Sequence, residues 1–410
     1  MRKGEFELIE WIKEQFEVPE GILGIGDDCA VLPQKDGVET LVTTDMLVEG
    51  VHFLLEDVDP YSLGWKSAAV NISDIAGMGG RPTGTFLSVA LPKRIEDGFL
   101  KEFIRGYKAV SERFACPLLG GDTTASKDKL CISVTVLGEC EAGRSRKRSA
   151  AQPGDLICVT GPLGDSAAGL KVVLERVEVG PAPGMTKEEQ GKKEETPETA
   201  NGEIRMAKKE TEMIEGEMGM EKEKPEMTGD EREITKEEME MMKREKSAEE
   251  VLRERHYRPM PRVTEGQKLA VTPGVNAMMD ISDGIGSDLR HILEASGTGA
   301  RVDVRRLPLS TELRDVCARR GWDPAALAAD GGEDCELLFT CRPGTVVPVP
   351  YTVIGEILAA PCDSGHRESI PQTATDESIS EKPAQDERGK KEPSIIWEGT
   401  DRDFTGFHHF

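Results

Sequence analysis

Apolar residues recur along this chain with two periods, and the switches between them outline its elements. Thr40-Leu41-Val42-Thr43-Thr44 and Leu130-Cys131-Ile132-Ser133-Val134-Thr135-Val136-Leu137 read as strands, the second alternating large apolar with small polar side chains. Between them, Leu63, Ala68, Ala69, Ile72, Ile75 and Ala76 follow a helical spacing behind Pro60. Leu100, Phe103, Ile104, Tyr107 and Val110 do the same behind Asp97-Gly98, so both stretches predict helices. A new block opens at Pro153-Gly154-Asp155, with a strand over 156–160, a Gly161-Pro162-Leu163-Gly164 turn and a helix over 167–174. Strands over 278–281, 300–304, 337–341 and 352–357 and a helix over 285–295 follow. Two α/β blocks of similar build account for this order, and Asp-rich strand ends recur in both, without a sequence period that establishes duplication.

Two stretches break the pattern. Between Pro181 and Glu250 there is no Leu, Val or aromatic residue, and nine of the fifteen Met are embedded in Glu and Lys. Such a segment buries too little apolar area to offset its ordering entropy, so 180–247 reads as a disordered or weakly helical insertion. Residues 363–394 read as a polar linker ahead of a short end containing Trp397, Phe404, Phe407 and Phe410. These segments explain why hydrophobic residues make up only 37% of the 410. The net charge of −24 is the wrong sign for a nucleic-acid scaffold or an anionic-membrane binder. No apolar run is long enough to cross a membrane, and the nine cysteines, without a Cys-x-x-Cys pair, read as reduced core thiols of a cytoplasmic protein.

The candidate chemistry is acidic. Gly26-Asp27-Asp28, Thr43-Thr44-Asp45, Asn71-Ile72-Ser73-Asp74, Gly120-Gly121-Asp122-Thr123-Thr124 and Asp280-Ile281-Ser282-Asp283-Gly284 each place Asp beside small or hydroxylic residues. Any one of them is equally a helix cap or a turn. Five together suggest convergence, and two carboxylates at ~4 Å repel by roughly 4 kcal/mol at an effective dielectric near 20, which calls for protonation or a cation. All-oxygen donors beside Ser and Thr suit Mg²⁺ or Mn²⁺ bridging to nucleotide phosphates. The 280–284 segment is no calcium loop, because its Gly comes one place early and position twelve is His291. The six His form no His-Glu-x-x-His, and no phosphate-cradling Gly-x₄-Gly-Lys-Ser/Thr, kinase His-Arg-Asp or Gly-x-Ser-x-Gly segment occurs. The basic pentad Arg144-Ser145-Arg146-Lys147-Arg148 reads as a solvated loop or as the source of an arginine for a polyphosphate.

These segments, with Gly24-Ile25-Gly26-Asp27-Asp28-Cys29-Ala30, Gly50-Val51-His52-Phe53, Val159-Thr160-Gly161, Gly164-Asp165-Ser166-Ala167-Ala168-Gly169-Leu170, Arg258-Pro259 and Gly331-Gly332-Glu333-Asp334, closely resemble the thiamine-monophosphate kinase family. Single motifs recur across the wider superfamily of aminoimidazole-ribonucleotide-synthetase-like ATP enzymes, whereas the His52 and Gly331–Asp334 segments point to this branch. The resemblance implies a two-domain α/β (α+β) fold: an N-terminal ATP/Mg-binding domain over 1–143, whose sheet joins a homodimer barrel, and a C-terminal α/β sandwich over 144–362 interrupted by the insertion. The 363–394 linker and a substrate-packing segment over 395–410 follow. It also implies phosphorylation of thiamine monophosphate by ATP through direct in-line transfer assisted by several Mg²⁺. By position, Asp28, Thr43, Thr44, Asp45, Asp74, Asp122, Asp280 and Asp283 match its metal positions. Tyr107, Gly121, Asp122, Arg148 and Ser282 match nucleotide contacts, and His52, Glu333 and Phe407 match substrate contacts. Asp45, Asp122 and Arg148 carry the catalytic expectation. A flat, cationic thiazolium suits an aromatic face and a nearby carboxylate, the types Phe407 and Glu333 supply.

Other readings on the same scaffold are an aminoimidazole ribonucleotide synthetase, a selenophosphate synthetase or a hydrogenase-maturation ATPase; a noncatalytic thiamine- or nucleotide-binding protein is a fourth. The chain ends in Phe410, not in the Cys of the maturation ATPase, and lacks the N-terminal Cys-and-Lys glycine-rich loop of selenophosphate synthetases. The insertion, and Cys335 in place of the family's frequent aromatic, depart from the pattern.

Overall fold

Sheet alternation gives the N-terminal half its two faces. A computed structural model describes residues 21–23, 27–33, 37–179, 247–359 and 394–406. Among them, β1 (Ala30–Pro33), β2 (Val38–Val48), β3 (Arg81–Pro92), β4 (Leu118–Ser126) and β5 (Cys131–Glu141) form a sheet in the order β1-β2-β5-β3-β4, antiparallel except between β3 and β4. Leu41, Leu47, Ile132, Val134 and Val136 point to one face and are buried against α1 (Pro60–Gly77). Thr44, Met46, Phe86 and Ser88 look outward and stay exposed.

Helix α1 begins where Asp59 accepts the Ser62 N–H at 2.9 Å, with Pro60 in its first turn. It is buried nearly all round, because it touches the N-terminal sheet on one side and elements of the C-terminal half on the other. Small residues permit this. A methyl group on Gly64 would collide with the Phe103 carbonyl of α2 (Asp97–Arg113), and one on Gly106 with the Tyr61 carbonyl.

The second half comprises a 3₁₀ turn (Arg148–Ala150), β6 (Leu156–Val159), α3 (Asp165–Val179), α4 (Ala248–Tyr257), α5 (Val263–Val271), β7 (Val275–Asp280), α6 (Ile285–Ser296), β8 (Thr298–Asp303), α7 (Thr311–Arg320), α8 (Pro324–Asp330), β9 (Leu337–Cys341), β10 (Thr352–Ala359) and β11 (Ile395–Glu398). Its sheet runs β11-β8-β10-β6-β9-β7, with β11 parallel to β8 and the other pairs antiparallel. Both sheets fall in one compact unit, 1–173 with 247–410; a second unit covers 174–246, of which only the end of α3 is described. Ser247 opens α4 as a capping box with Glu250. Residues 180–246 and 363–393 lie outside the described residues.

The helices expected behind Pro60 and Asp97 and the strand over 337–341 are present. β3 and β4 were not expected, because Pro82, Gly84 and Pro92 break the apolar run of one, while the other is a solvent-exposed edge reading Gly-Gly-Asp-Thr-Thr. The expected thiol state holds for the eight described cysteines, all free. Among the described residues, no helix is long and apolar enough to cross a membrane.

The α1–α2 contact has a direct test. Gly106→Ala should cost about 1–3 kcal/mol of stability by overpacking, read from the urea midpoint; an unchanged midpoint would show that the helices part freely.

Candidate active site

Three elements, β2, α1 and β7, and two adjoining segments, before β1 and before α6, carry carboxylates to one place. Along β2, alternation puts Thr43 and Asp45 on the α1 side. Asn71 and Asp74, three residues apart on α1, meet them: Asn71 Oδ1 accepts the Asp45 N–H at 3.0 Å, and Thr43 Oγ1 donates to Asp74 Oδ2 at 2.5 Å. Asp280 ends β7, and its N–H donates to Asp28 Oδ2 at 3.2 Å. Asp283 lies in the loop before α6. The cluster is tight enough that a methyl on Gly77 would strike both the Asp28 carboxylate and the Asp280 backbone.

Arg148 is the cation inside this group. Its Nε donates to Asp28 Oδ1 at 3.0 Å, its Nη2 donates to the same oxygen, and its backbone N–H donates to Asp27 Oδ1 at 2.7 Å. The basic pentad therefore delivers one half-buried guanidinium to the acids.

The electrostatics follow from burial and crowding. Burial pushes Asp74 well above the usual carboxylate range, and Asp45, Asp280 and Asp28 add to the rise. Burial, then Asp283 and Asp28, raises the more exposed Asp45 to about 6, while burial and Asp28 raise Asp280 to about 8. Asp28 is also raised by burial, with Arg148 working against the rise. Among the described residues no three His, Cys, Asp or Glu side chains already close around one ion. The donor set nonetheless fits hard divalent cations: carboxylates and a Thr hydroxyl, with more negative charge than one guanidinium neutralises.

A second group borders the acids. The loop 331–335 lies on the 282–283 backbone, with the Glu333 N–H donating to Ser282 O at 2.8 Å, and both Glu333 and Cys335 have left-handed φ, 62° and 52°. Lys66 Nζ donates to Glu333 Oε2 at 2.9 Å. His52 Nδ1 accepts the Val48 N–H at 3.0 Å, which leaves the ring proton of the neutral form on Nε2. Thr405 and Gly406 both donate backbone N–H groups to Asp330 Oδ1 at 3.0 Å, and Gly406 packs on Ser287 and the Asp283 carbonyl. Phe407 lies outside the described residues, yet the residue before it is fastened at the edge of the acidic cluster.

Not every expected residue joins. Thr44 points to the outer face and donates to the Val134 carbonyl at 3.2 Å. Gly121 and Asp122, expected in a turn, are inside β4, where Asp122 pairs with Ser88; two strands, β5 and β3, lie between β4 and β2, a separation of about 14 Å at ordinary strand spacing. Tyr107 is buried beside Phe103 and lines a cavity of about 460 Å³ with Ile104, Ser111, Pro117 and Leu118.

Sequence reasoning gave no role to four side chains that build the site. Asp288, on the first turn of α6, accepts the N–H groups of Ser282 and Asp283 and so shapes the 280–284 loop. Its five-residue offset from Asp283 was the available signal. Asn71 was visible inside its motif without a reason to bind backbone, and Lys66 and His256 looked like ordinary helix residues.

The raised carboxyl values predict a sign. In the metal-free fold these groups keep protons that the unfolded chain, with Asp near 3.9, has already lost, so stability falls as pH rises from about 4 to about 8. Thermal unfolding in chelator should therefore give a lower Tm at pH 8 than at pH 5.5, and Mg²⁺ should raise Tm more at pH 8. A Tm that rises with pH would contradict the crowding.

Comparison with known proteins agrees with this geometry. The chain matches the AIR synthase related protein N-terminal domain over 26–140 and its C-terminal domain over 232–359. It is 35% identical over 347 residues to the thiamine-monophosphate kinase of Salmonella typhimurium, covering 82% of this chain and 84% of that protein. A solved structure described as AaThiL complexed with AMPPCP and TMP superposes with a TM-score of 0.69 at 29% identity, over 100% of this chain and 99% of the other. Another, the thiamine monophosphate kinase of Aquifex aeolicus, gives a TM-score of 0.64 at 30% identity, covering 88% and 96%. With two AIR-synthase-related halves enclosing one acidic centre, the chain belongs to the thiamine-monophosphate kinase family.

Proposed function

We propose that this protein transfers the terminal phosphoryl group of ATP to the phosphate of thiamine monophosphate, releasing ADP and thiamine diphosphate. The observation that carries this reading is the convergence of Asp28, Asp45, Asp74, Asp280 and Asp283 around Arg148, in a chain whose relatives are thiamine-monophosphate kinases. One structural neighbour holds AMPPCP and TMP, a nucleotide analogue and the phosphorylated acceptor.

The transfer is direct and in line: an acceptor phosphate oxygen bonds to the γ-phosphorus as the bond to the β-phosphate oxygen breaks. That oxygen is already ionised, so no strong base is needed, and alignment with charge neutralisation dominates. Asp28, Thr43, Asp45, Asp74, Asp280 and Asp283 would hold several Mg²⁺, which supply positive charge between the two phosphates. Thr44, on the outer face, and Asp122, on β4, would complete the metal positions only across the interface with a second copy. With the carboxylates neutralised by metal, Arg148 would be available to a nucleotide phosphate, and Ser282, in the loop shaped by Asp288, would face the nucleotide. His52, Glu333 and Phe407 receive the acceptor, Phe407 against the thiamine moiety. ATP as a substrate supports a cytoplasmic location.

One chain leaves Tyr107, Gly121 and Asp122 away from the acids, and its N-terminal sheet is open with Met46, Phe86, Leu118 and Leu119 exposed. A second copy closing that sheet into a barrel covers these side chains and brings Asp122 of one copy toward Asp45 of the other. Asp45→Asn and Asp122→Asn should each lower ADP formation with thiamine monophosphate by at least about 100-fold. Mixed after dissociation and reassociation, the two variants should recover about a quarter of wild-type activity, since half the dimers then carry one intact site of two. No recovery would place both residues in one copy's site. Turnover with an aminoimidazole precursor or selenide, and none with thiamine monophosphate, would overturn the substrate assignment.

A further inference from the structure

Lys66 is wholly buried on α1, where an ammonium group must be paired or it destabilises the fold. Its Nζ donates to Glu333 Oε2 at 2.9 Å and lies 3.4 Å from His256 Nε2. An ammonium has no lone pair, so Nε2 is the acceptor and the ring proton sits on Nδ1, 3.0 Å from Ser166 Oγ and 3.5 Å from Glu333 Oε2. Burial, then Lys66, lowers the His256 pKa to about 3, which agrees with a neutral ring. Ser166 is itself fixed, because Asp334 accepts its N–H at 3.0 Å together with that of Gly164 at 2.7 Å.

The chain of contacts ends on a strained residue. Glu333 sits at φ 62°, a conformation that persists in a non-glycine residue only when its surroundings enforce it. Its side chain is one-third exposed while Lys66 is at 0%, so the carboxylate is held from behind and open in front.

We propose that Lys66 and His256 are positioning residues that hold the Glu333 carboxylate toward the acceptor, through a relay from Ser166 on α3 to His256 on α4 to Lys66 on α1. This rests on reading Glu333 as an acceptor contact. Neither residue is placed to touch substrate; Lys66 sets the direction and charge of the carboxylate, and His256 sets the direction of the Lys66 ammonium while its Nδ1 lies beside the same carboxylate.

Steady-state kinetics of the full chain with Mg²⁺, ATP and thiamine monophosphate test it. Lys66→Met should raise KM for thiamine monophosphate about tenfold with KM for ATP within about twofold. His256→Leu should act in the same direction, and His256→Gln, which keeps an acceptor for Nζ, should stay within about threefold of wild type. Should Lys66→Met fail to fold, the double variant Lys66→Met/Glu333→Gln removes both buried charges and should match Glu333→Gln alone in its KM for thiamine monophosphate. Equal effects on both substrates, or a double variant whose effects multiply, would overturn the relay. ¹⁵N NMR of the His256 ring should show a neutral imidazole protonated at Nδ1. A cationic or Nε2-protonated ring overturns the relay, and this readout stands even if wild-type protein turns over a different acceptor.

Discussion

Repulsion among converging carboxylates is the constraint on which this structure turns. Asp28, Asp45, Asp74, Asp280 and Asp283 come from both halves of the chain, and burial makes the negative charge of the first four costly. Arg148 offsets part of that charge through Asp28, and protonation offsets more. The charge left over suits hard divalent cations, which under the proposed function would release Arg148 to an anion.

The scaffold answers this constraint with backbone bonds that need no metal. Asn71 secures Asp45 through its N–H, and Asp288 secures the 282–283 loop in the same way. Thr43 shields one oxygen of Asp74. Helix α1 is central to all of this, since Lys66, Asn71 and Asp74 span only nine residues, and its small side chains let both halves approach. A helix buried on every side cannot turn or slide without disturbing several groups at once, which gives the site its rigidity.

Strong periodicity made the central elements legible. α2 and β5 could be placed because one face of each packs on a core and burial writes a period into sequence, α1 because its apolar residues keep a helical spacing behind Pro60, and β9 because a short continuous apolar run marks a fully buried strand. β4 could not, because an exposed edge imposes no apolar alternation, and its Gly-Gly-Asp-Thr-Thr run has the composition of a turn. The acidic cluster was legible as residue types beside glycines and hydroxyls, yet convergence itself depends on long-range packing. Lys66 shows the limit clearly: on a helix that reads as amphipathic, a lysine is expected to face water, and only the neighbouring loop and α4 reveal its burial. Asp122 shows another, since its strand position follows from pairing with β3 and its distance from Asp45 from sheet order.

The stretches expected to be an insertion and a linker lie between points of the fold that are already fastened. On either side of the insertion, α3 and α4 approach so closely that a methyl on Gly169 would strike the Leu252 carbonyl, and Ser166 meets His256 across the same contact. The cost of closing a loop grows only as the logarithm of its length, so such a junction tolerates dozens of added residues with little change to the helices it joins. The linker follows the same logic at the other end. β11 takes its register from β8, Trp397 packs edge-on against Phe404 at 4.9 Å, and Asp330 holds the Thr405 and Gly406 N–H groups. The position at which the chain leaves Gly406 is therefore set by the sheet and by α8, whatever length of chain precedes Ser394.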